Sequence, residues 1–349
     1  MDRFLNRRVL LKERPTGIPQ ASHFELDEAV VQPLRDGDVL VRNDWLSVEP
    51  AMRGWVSAVR NYSEPVEIGA VMRSFAAGTV IASRDPSVHV GARVTGLFGW
   101  QDYAVVQAKG IERSVTEHDL PLSAALGVMG INGVTAHFGL LEIGRPVPGE
   151  TVVVSTAAGS VGSCVGQIAK LHGCRTVGIA GGPQKARLCE DAFGFDAAVD
   201  YKALDFESRL AEACRDGVDI YYDNTSGAIS DAVMSHLRPG ARVIVCGTSS
   251  ISSWDPAPTG PRVERRLLVN RARMQGFVIF DHAAHYPAAR RDLANWLRDG
   301  RLRYREDVLE GLEQAPDAIA GLYRGENLGK RLIRVRSKAA PATAGAIAG

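Results

Sequence analysis

Cysteine is scarce and unpaired in this sequence. The five residues Cys164, Cys174, Cys189, Cys214 and Cys246 are scattered over 349 positions, and no two form a Cys-x-x-Cys pair. An odd, dispersed set suits reduced thiols better than a disulfide framework, and it excludes a structural zinc site of the usual spacing. Long apolar runs are missing as well. No stretch reaches the roughly 18 uninterrupted apolar residues of a membrane span. Met1 to Leu11 carries Arg3, Arg7 and Arg8 but no apolar core, so it does not read as a secretory signal. An excess of charge is absent too. Lys+Arg 41 against Asp+Glu 40 leaves a net charge of +1, which supports neither a nucleic-acid nor an anionic-membrane partner. The expectation is a soluble, cytoplasmic protein whose partners are small molecules.

What is present is glycine, 36 residues of it, and a change of texture part-way along the chain. At roughly 150 residues per domain the length suggests two domains. The first 120 or so residues read as short strands separated by Gly and Pro, as in a small barrel or sandwich. Ser123 to Leu141 is Ala/Gly-rich and free of Pro, and reads as a buried helical region. From Thr151 strands and helices alternate with short connections, and Thr151–Ser155 is a continuous apolar strand of the buried parallel kind. The alternation predicts an α/β fold with a doubly wound parallel sheet, the Rossmann arrangement. Met274 to Phe280 reads as one further strand.

The first of these strands runs into Ala157-Ala158-Gly159-Ser160-Val161-Gly162, and a helix follows at once. This is an A-x-G-x-x-G form of the dinucleotide fingerprint. Gly159 lets a pyrophosphate approach the backbone, Gly162 lets the helix pack against the strand, and free N–H groups at the helix start face the anion. An NAD site asks for an Asp or Glu about 20 residues on, at the end of the second strand. Here that strand ends in Ala180-Gly181-Gly182-Pro183-Gln184-Lys185. The missing carboxylate removes repulsion against a 2′-phosphate, and Lys185 supplies a positive charge. Tyr201, after the third strand, can add a hydroxyl. NADPH is the expected cofactor.

Several further segments carry a family resemblance: Leu46-Ser47-Val48-Glu49-Pro50-Ala51-Met52-Arg53-Gly54, Thr135-Ala136-His137-Phe138-Gly139-Leu140-Leu141, Asp223-Asn224, Arg273-Met274-Gln275-Gly276-Phe277 and Gly325-Glu326-Asn327-Leu328-Gly329-Lys330. With these in order, the chain resembles the zinc-free branch of the medium-chain dehydrogenase/reductase superfamily. That branch holds the prostaglandin reductases, leukotriene hydroxydehydrogenases, alkenal double-bond reductases and curcumin reductases. The resemblance implies a GroES-like β-rich substrate domain from residues 1–125 and 310–349. It further implies a Rossmann NADPH domain from 126–309, and a homodimer. It puts Ala158, Gly159, Ser160, Val161 and Gly162 on the pyrophosphate and Lys185 and Tyr201 on the 2′-phosphate. Asn224 would lie by the adenosine ribose and Cys246, Gly247, Thr248 and Ser249 along the cofactor. Phe277, Val278 and Ile279 would lie near the nicotinamide amide, and Asn327 over the nicotinamide. The implied reaction is NADPH-dependent reduction of the C=C bond of an α,β-unsaturated ketone or aldehyde.

The chain departs from many relatives in having Ala51 and Val269 where they carry tyrosine, and Thr225-Ser226-Gly227 where they carry Val-Gly-Gly. No cysteine precedes Cys164, and His23 and His89 lack companions at ligand spacing, so no metal is expected. Without a Lewis acid, oxidising a plain alcohol is hard, whereas an activated C=C needs only a hydrogen-bond donor at the carbonyl oxygen. Tyr62 is the candidate for that role, and Trp55, Tyr62 and Trp254 are candidate walls of the substrate pocket. Two rival readings share the scaffold: a zinc-free quinone reductase and a catalytically idle NADPH-binding protein.

Overall fold

The computed structural model of the protein describes residues 4–59, 61–251, 256 and 258–335. A hairpin of β1 (Leu5–Leu11) and β2 (Phe24–Val30) opens the chain. There follow β3 (Asp38–Ser47), the short helix α1 (Met52–Val56), β4 (Ala76–Ser83), β5 (Arg93–Gly96), β6 (Tyr103–Gln107) and β7 (Ile111–Ser114). Helix α2 (Ile131–Phe138) leads into the alternating region. That region comprises β8 (Thr151–Ser155), α3 (Ser160–Leu171), β9 (Arg175–Ala180), α4 (Pro183–Asp191), β10 (Ala197–Asp200), α5 (Phe206–Ala213) and β11 (Val218–Asp223). It continues through α6 (Gly227–Val233), β12 (Leu237–Val245), α7 (Glu264–Asn270), β13 (Arg273–Gly276) and α8 (Tyr286–Arg298). The chain then returns with β14 (Glu306–Glu310), α9 (Ala315–Arg324) and β15 (Lys330–Arg334).

Two sheets organise these elements. One has six parallel strands in the order β10-β9-β8-β11-β12-β13, the doubly wound pattern that the alternation predicts. All five residues of β8 are buried, and the two-residue period of a strand divides them between two cores. Val152 and Val154 pack with Val165 and Ile168 of α3, whereas Val153 packs on the other face with Val177, Tyr221 and Val243. The other sheet has seven strands in the order β14-β15-β3-β4-β5-β7, with β6 paired to β3. It takes strands from both ends of the chain, and β14, beginning at Glu306, belongs to it. We call the two bodies the cofactor lobe and the substrate lobe.

Two local expectations change. The strand expected over Met274 to Phe280 stops at Gly276. Gly276 pairs with Val245, the last residue of β12, so no neighbour remains to pair beyond it, and Ile279–His285 turns into 3-10 helix. The helical region expected over Ser123 to Leu141 is broken into a 3-10 turn at Leu122–Leu126, α2, and a π-helical turn at Gly139–Gly144. The chain doubles back so tightly at the break that a Cβ on Gly133 would overlap the Val128 carbonyl oxygen.

Candidate functional site

The carboxyl ends of β8, β11 and β12 face the substrate lobe. After Ser155 the backbone turns through Thr156, a non-glycine residue at φ 54°, a strained left-handed conformation of the sort that collects at ligand sites. Gly159 is the N-cap of α3, and no side chain caps that helix. Its first-turn amides are therefore open to an anion. A Cβ on Gly162 would overlap the Thr156 carbonyl oxygen and lie 2.9 Å from the Ala157 Cα, so the helix sits directly on the loop. Ala158, Gly159, Ser160, Val161 and Gly162 thus share one turn.

A second loop is tied to this one. Asp223 is fully buried, and its Oδ1 accepts from the Thr225 and Ser226 amides at 2.9 and 2.8 Å and from the Tyr221 hydroxyl at 3.0 Å. Asn224 donates from its side-chain amide to the Ser155 carbonyl at 2.7 Å and from its backbone to the Ser155 hydroxyl at 2.8 Å. Its own carbonyl accepts from the Ser249 hydroxyl at 2.9 Å, which joins Cys246–Ser249 to the end of β8. The Cys246 thiol is pushed up to about 12 by burial.

Positive charge gathers at the end of β9. The ammonium groups of Lys185 and Lys202 come within 3.7 and 3.8 Å of where a Cβ on Gly325 would stand. Burial lowers the Lys185 pKa, and the neighbouring Lys202 and Arg331 lower it further. The Tyr201 ring lies against Gly181, 2.9 Å from the place of a Cβ there. The acid at the end of β10, Asp200, is engaged with the Gly182 and Lys202 amides at 2.7 and 2.9 Å. Asn327 donates to the Gly329 carbonyl at 2.8 Å. Half-buried Lys185 and exposed Lys202 bring two ammonium groups together, an arrangement that suits a phosphate dianion. Residues that fit NADPH are therefore present, with the glycine cradle at one end and this pair at the other.

The facing wall is aromatic. Trp55 is 2% exposed and meets Phe75 edge-on at 6.2 Å, Phe75 stacks on Phe280 at 6.2 Å, and Phe280 lies 6.3 Å from Tyr62. This row of rings joins the lobes. Trp55 is at its buried end and belongs to the core. Tyr62 is 58% exposed at the open end, yet burial of its hydroxyl raises the pKa, with Cys246 and Glu49 adding to the effect. Phe277 turns inward, 5.6 Å from the Phe138 ring, Ile279 is buried and Val278 is half-buried. Trp254 lies outside the described residues. Beneath the wall, Glu49 and Lys330 form a buried ion pair at 2.6 Å. The same carboxylate accepts from Ser47 at 2.6 Å and from Asn132 of α2 at 3.0 Å, which fastens one lobe to the other.

Residues 7–114 match the family described as the N-terminal domain of oxidoreductase, and residues 160–295 match the one described as zinc-binding dehydrogenase. The chain is 42% identical to NADPH-dependent curcumin reductase of Escherichia coli (strain K12), over 95% of this chain and 97% of that one. It is 36% identical to the NADP-dependent 2-alkenal reductase of Nicotiana tabacum, over 95% of this chain and 97% of that one. The structure of CurA from Vibrio vulnificus in complex with NADPH superposes with a TM-score of 0.89 at 42% identity, covering 95% of this chain and 99% of that one. The chain belongs to the medium-chain dehydrogenase/reductase family.

Within that family it falls in the zinc-free branch of the curcumin, alkenal and prostaglandin reductases. Among the described residues no group of three or more His, Cys, Asp and Glu side chains could hold a metal ion, although one matched family is described as zinc-binding. Four residues at the site of this reductase escaped sequence reasoning: Lys202, Arg53, Phe280 and Tyr323. Lys202 carried a signal, since it directly follows Tyr201. The other three meet the site only through the fold.

Proposed function

We propose that the protein reduces the C=C bond of α,β-unsaturated ketones and aldehydes with NADPH. The observation that carries this reading is the likeness, over nearly the whole chain, to NADPH-dependent curcumin reductase. When bound, NADPH supplies a hydride for the β-carbon of the substrate. The Ala158–Gly162 turn holds the pyrophosphate through backbone amides. Lys185 and Lys202, with the Tyr201 hydroxyl, hold the 2′-phosphate. Asn224 and Cys246–Ser249 form the floor along the cofactor, with Phe277–Ile279 at its nicotinamide end; Asn327, expected over the nicotinamide, instead stands between Gly325 and Leu328, on the side of Lys185 and Gln184. The Tyr62 hydroxyl, protonated at neutral pH as tyrosines are and with burial raising its pKa further, donates to the carbonyl oxygen as negative charge collects there. The rings of Tyr62, Phe280 and Phe75, backed by Trp55 in the core, offer an apolar wall to the conjugated substrate.

A homodimer completes the reading. β13 is the outer strand of the six-stranded sheet, all four of its residues are exposed, its Met274 by 40%, and Leu268 and Val269 of the preceding α7 are 78% and 56% exposed. Such an edge invites pairing with a second copy. Free cysteines throughout the described residues suit the cytoplasm. The test is NADPH oxidation followed at 340 nm with an enone, an enal, a quinone and no acceptor, with the product examined by NMR. A saturated ketone or aldehyde is expected. An allylic alcohol, turnover of quinone alone, or no turnover would overturn the reading.

A further inference from the structure

Arg53 is a cation of the cleft that makes no ion pair among the described residues. Arg53 projects from α1, half-buried where the lobes meet. Its Nη2 reaches the Thr248 carbonyl at 3.5 Å, inside the Cys246–Ser249 loop of the other lobe. Its guanidinium carbon stands 4.9 Å from the centre of the Tyr323 ring. Among the described residues its buried Nη1 has no hydrogen-bond partner and no carboxylate pairs with it. Two other arginines differ, Arg242 having Glu150 and Arg331 having Asp307, whereas Arg93 likewise keeps a buried N–H without a partner. A desolvated guanidinium with an orphan N–H is costly unless an anion completes it.

The group is also held in place. Tyr323, on which it stacks, donates its hydroxyl to the Pro50 carbonyl at 3.1 Å, and Pro50 begins the turn into α1. The adjacent Glu49 is locked to Lys330. A half-buried fork of N–H donors held in place by its neighbours is suited to an anionic oxygen and needs little reorganisation to receive one.

We propose that Arg53 is the substrate lobe's contact for an anionic oxygen of the bound complex, a residue beyond the set assigned above. Resting on the reductase reading, that oxygen has two sources: a phosphate of the cofactor, or the enolate of the substrate. In the second case a hydride forms a C–H bond at the β-carbon, the π pair moves onto the carbonyl oxygen, and a solvent proton completes the α-carbon. Arg53 donates an N–H to that oxygen and ends unchanged.

The test uses the full chain and its Arg53→Gln, Arg53→Lys and Arg53→Ala variants. NADPH affinity is measured by fluorescence, and single-turnover hydride transfer is measured at saturating NADPH with a neutral aryl enone. Arg53→Gln should weaken one of the two by about tenfold or more, the equivalent of one charge-assisted hydrogen bond. Loss of affinity with an unchanged hydride rate identifies the phosphate, and loss of rate with unchanged affinity identifies the enolate. In either case Arg53→Lys should remain impaired, and millimolar guanidinium should restore Arg53→Ala, which a packing defect would not allow. Both constants within twofold of the parent, or a loss that guanidinium leaves untouched, overturn the proposal. A parent that binds NADPH but reduces no enone overturns the reductase reading instead, and the affinity measurement still decides on Arg53 and the phosphate.

Discussion

The two walls of the cleft are built on different scales. On the cofactor side, Gly162 rests on Thr156 and Ala157 and Asp223 holds Thr225 and Ser226, so within each loop partners stand a few residues apart and the contacts are to backbone, although Asn224 ties the two loops across 69 positions. On the substrate side, Tyr323 meets Pro50 across 273 positions and Lys330 meets Glu49 across 281, and side chains meet side chains along most of the ring row. A wall of backbone has almost no freedom to move, because nothing at the end of a flexible chain can yield. A wall of side chains can change its shape one residue at a time. The first suits a cofactor that never varies. The second suits a substrate pocket, where new shapes are reached by substitution.

The comparison can be broken most directly at Gly162. Gly162→Val must displace the Thr156–Ala157 backbone, at a cost of about 3 kcal/mol or more, so NADPH affinity should fall by more than about 100-fold. Calorimetric titration checks this, and an affinity within tenfold of the parent would show that the loop can yield. On the other wall, Tyr62→Phe tests chemistry in place of shape. The variant should lose about 100-fold in kcat and in kcat/KM together, with NADPH affinity unchanged. A loss of only a few-fold would move Tyr62 from donor to pocket wall, leaving a water or Arg53 to carry the charge.

A smaller effect is expected at Lys185, where binding and stability oppose each other. Burial and the neighbouring Lys202 and Arg331 lower its pKa, so in the cofactor-free protein its charge is unfavourable at neutral pH, a cost relieved only as pH rises through the lowered value. Lys185→Met should therefore raise the melting temperature of the cofactor-free protein while weakening NADPH about tenfold and leaving NADH unchanged. In the parent, NADPH affinity should fall with rising pH before 10.5, the ordinary lysine value, is reached, while NADH affinity stays level. Equal melting temperatures would show that the Lys185 charge is not unfavourable in the cofactor-free protein, and a parallel fall for NADH would show that Lys185 does not face the 2′-phosphate.

The same difference of scale explains what the sequence disclosed. The β8–turn–α3 unit was legible because strand, glycines and helix are contiguous, and the absent acid after β9 could be read at a fixed distance from them. The doubly wound sheet followed from alternation for the same reason. Phe280 was not legible: it fell inside an apparent strand, Met274 to Phe280, and only the end of β12 at Val245 stops that strand at Gly276 and turns Phe280 outward. Arg53 lies in the Leu46–Gly54 segment of the resemblance but without an assigned role, Tyr323 lies outside the quoted segments, and their meeting is a product of α9 packing against the substrate lobe. Trp55 was read as a pocket wall on residue type alone, and its 2% exposure puts it behind Phe75 in the core.

The smallest expected effect is none at all, on removal of metal. A zinc ligand set needs deprotonated thiols or free imidazoles and carboxylates converging on one point. Burial pushes the Cys164 and Cys189 thiols up to about 12 and the Cys174 and Cys214 thiols up to about 11, which keeps them protonated and poor ligands. Cys246, the cysteine at the cleft, is likewise near 12 and hydrogen-bonds with Tyr222. The buried carboxylate beneath the wall, Glu49, is already held by Lys330, Ser47 and Asn132. Prolonged dialysis against a strong chelator should therefore leave enone reduction within error of the untreated protein, as measured by NADPH oxidation. Loss of activity restored by one equivalent of zinc would mean that ligands converge in a conformation other than this one, and that the substrate-side wall rearranges far more than its ring row and buried ion pair imply.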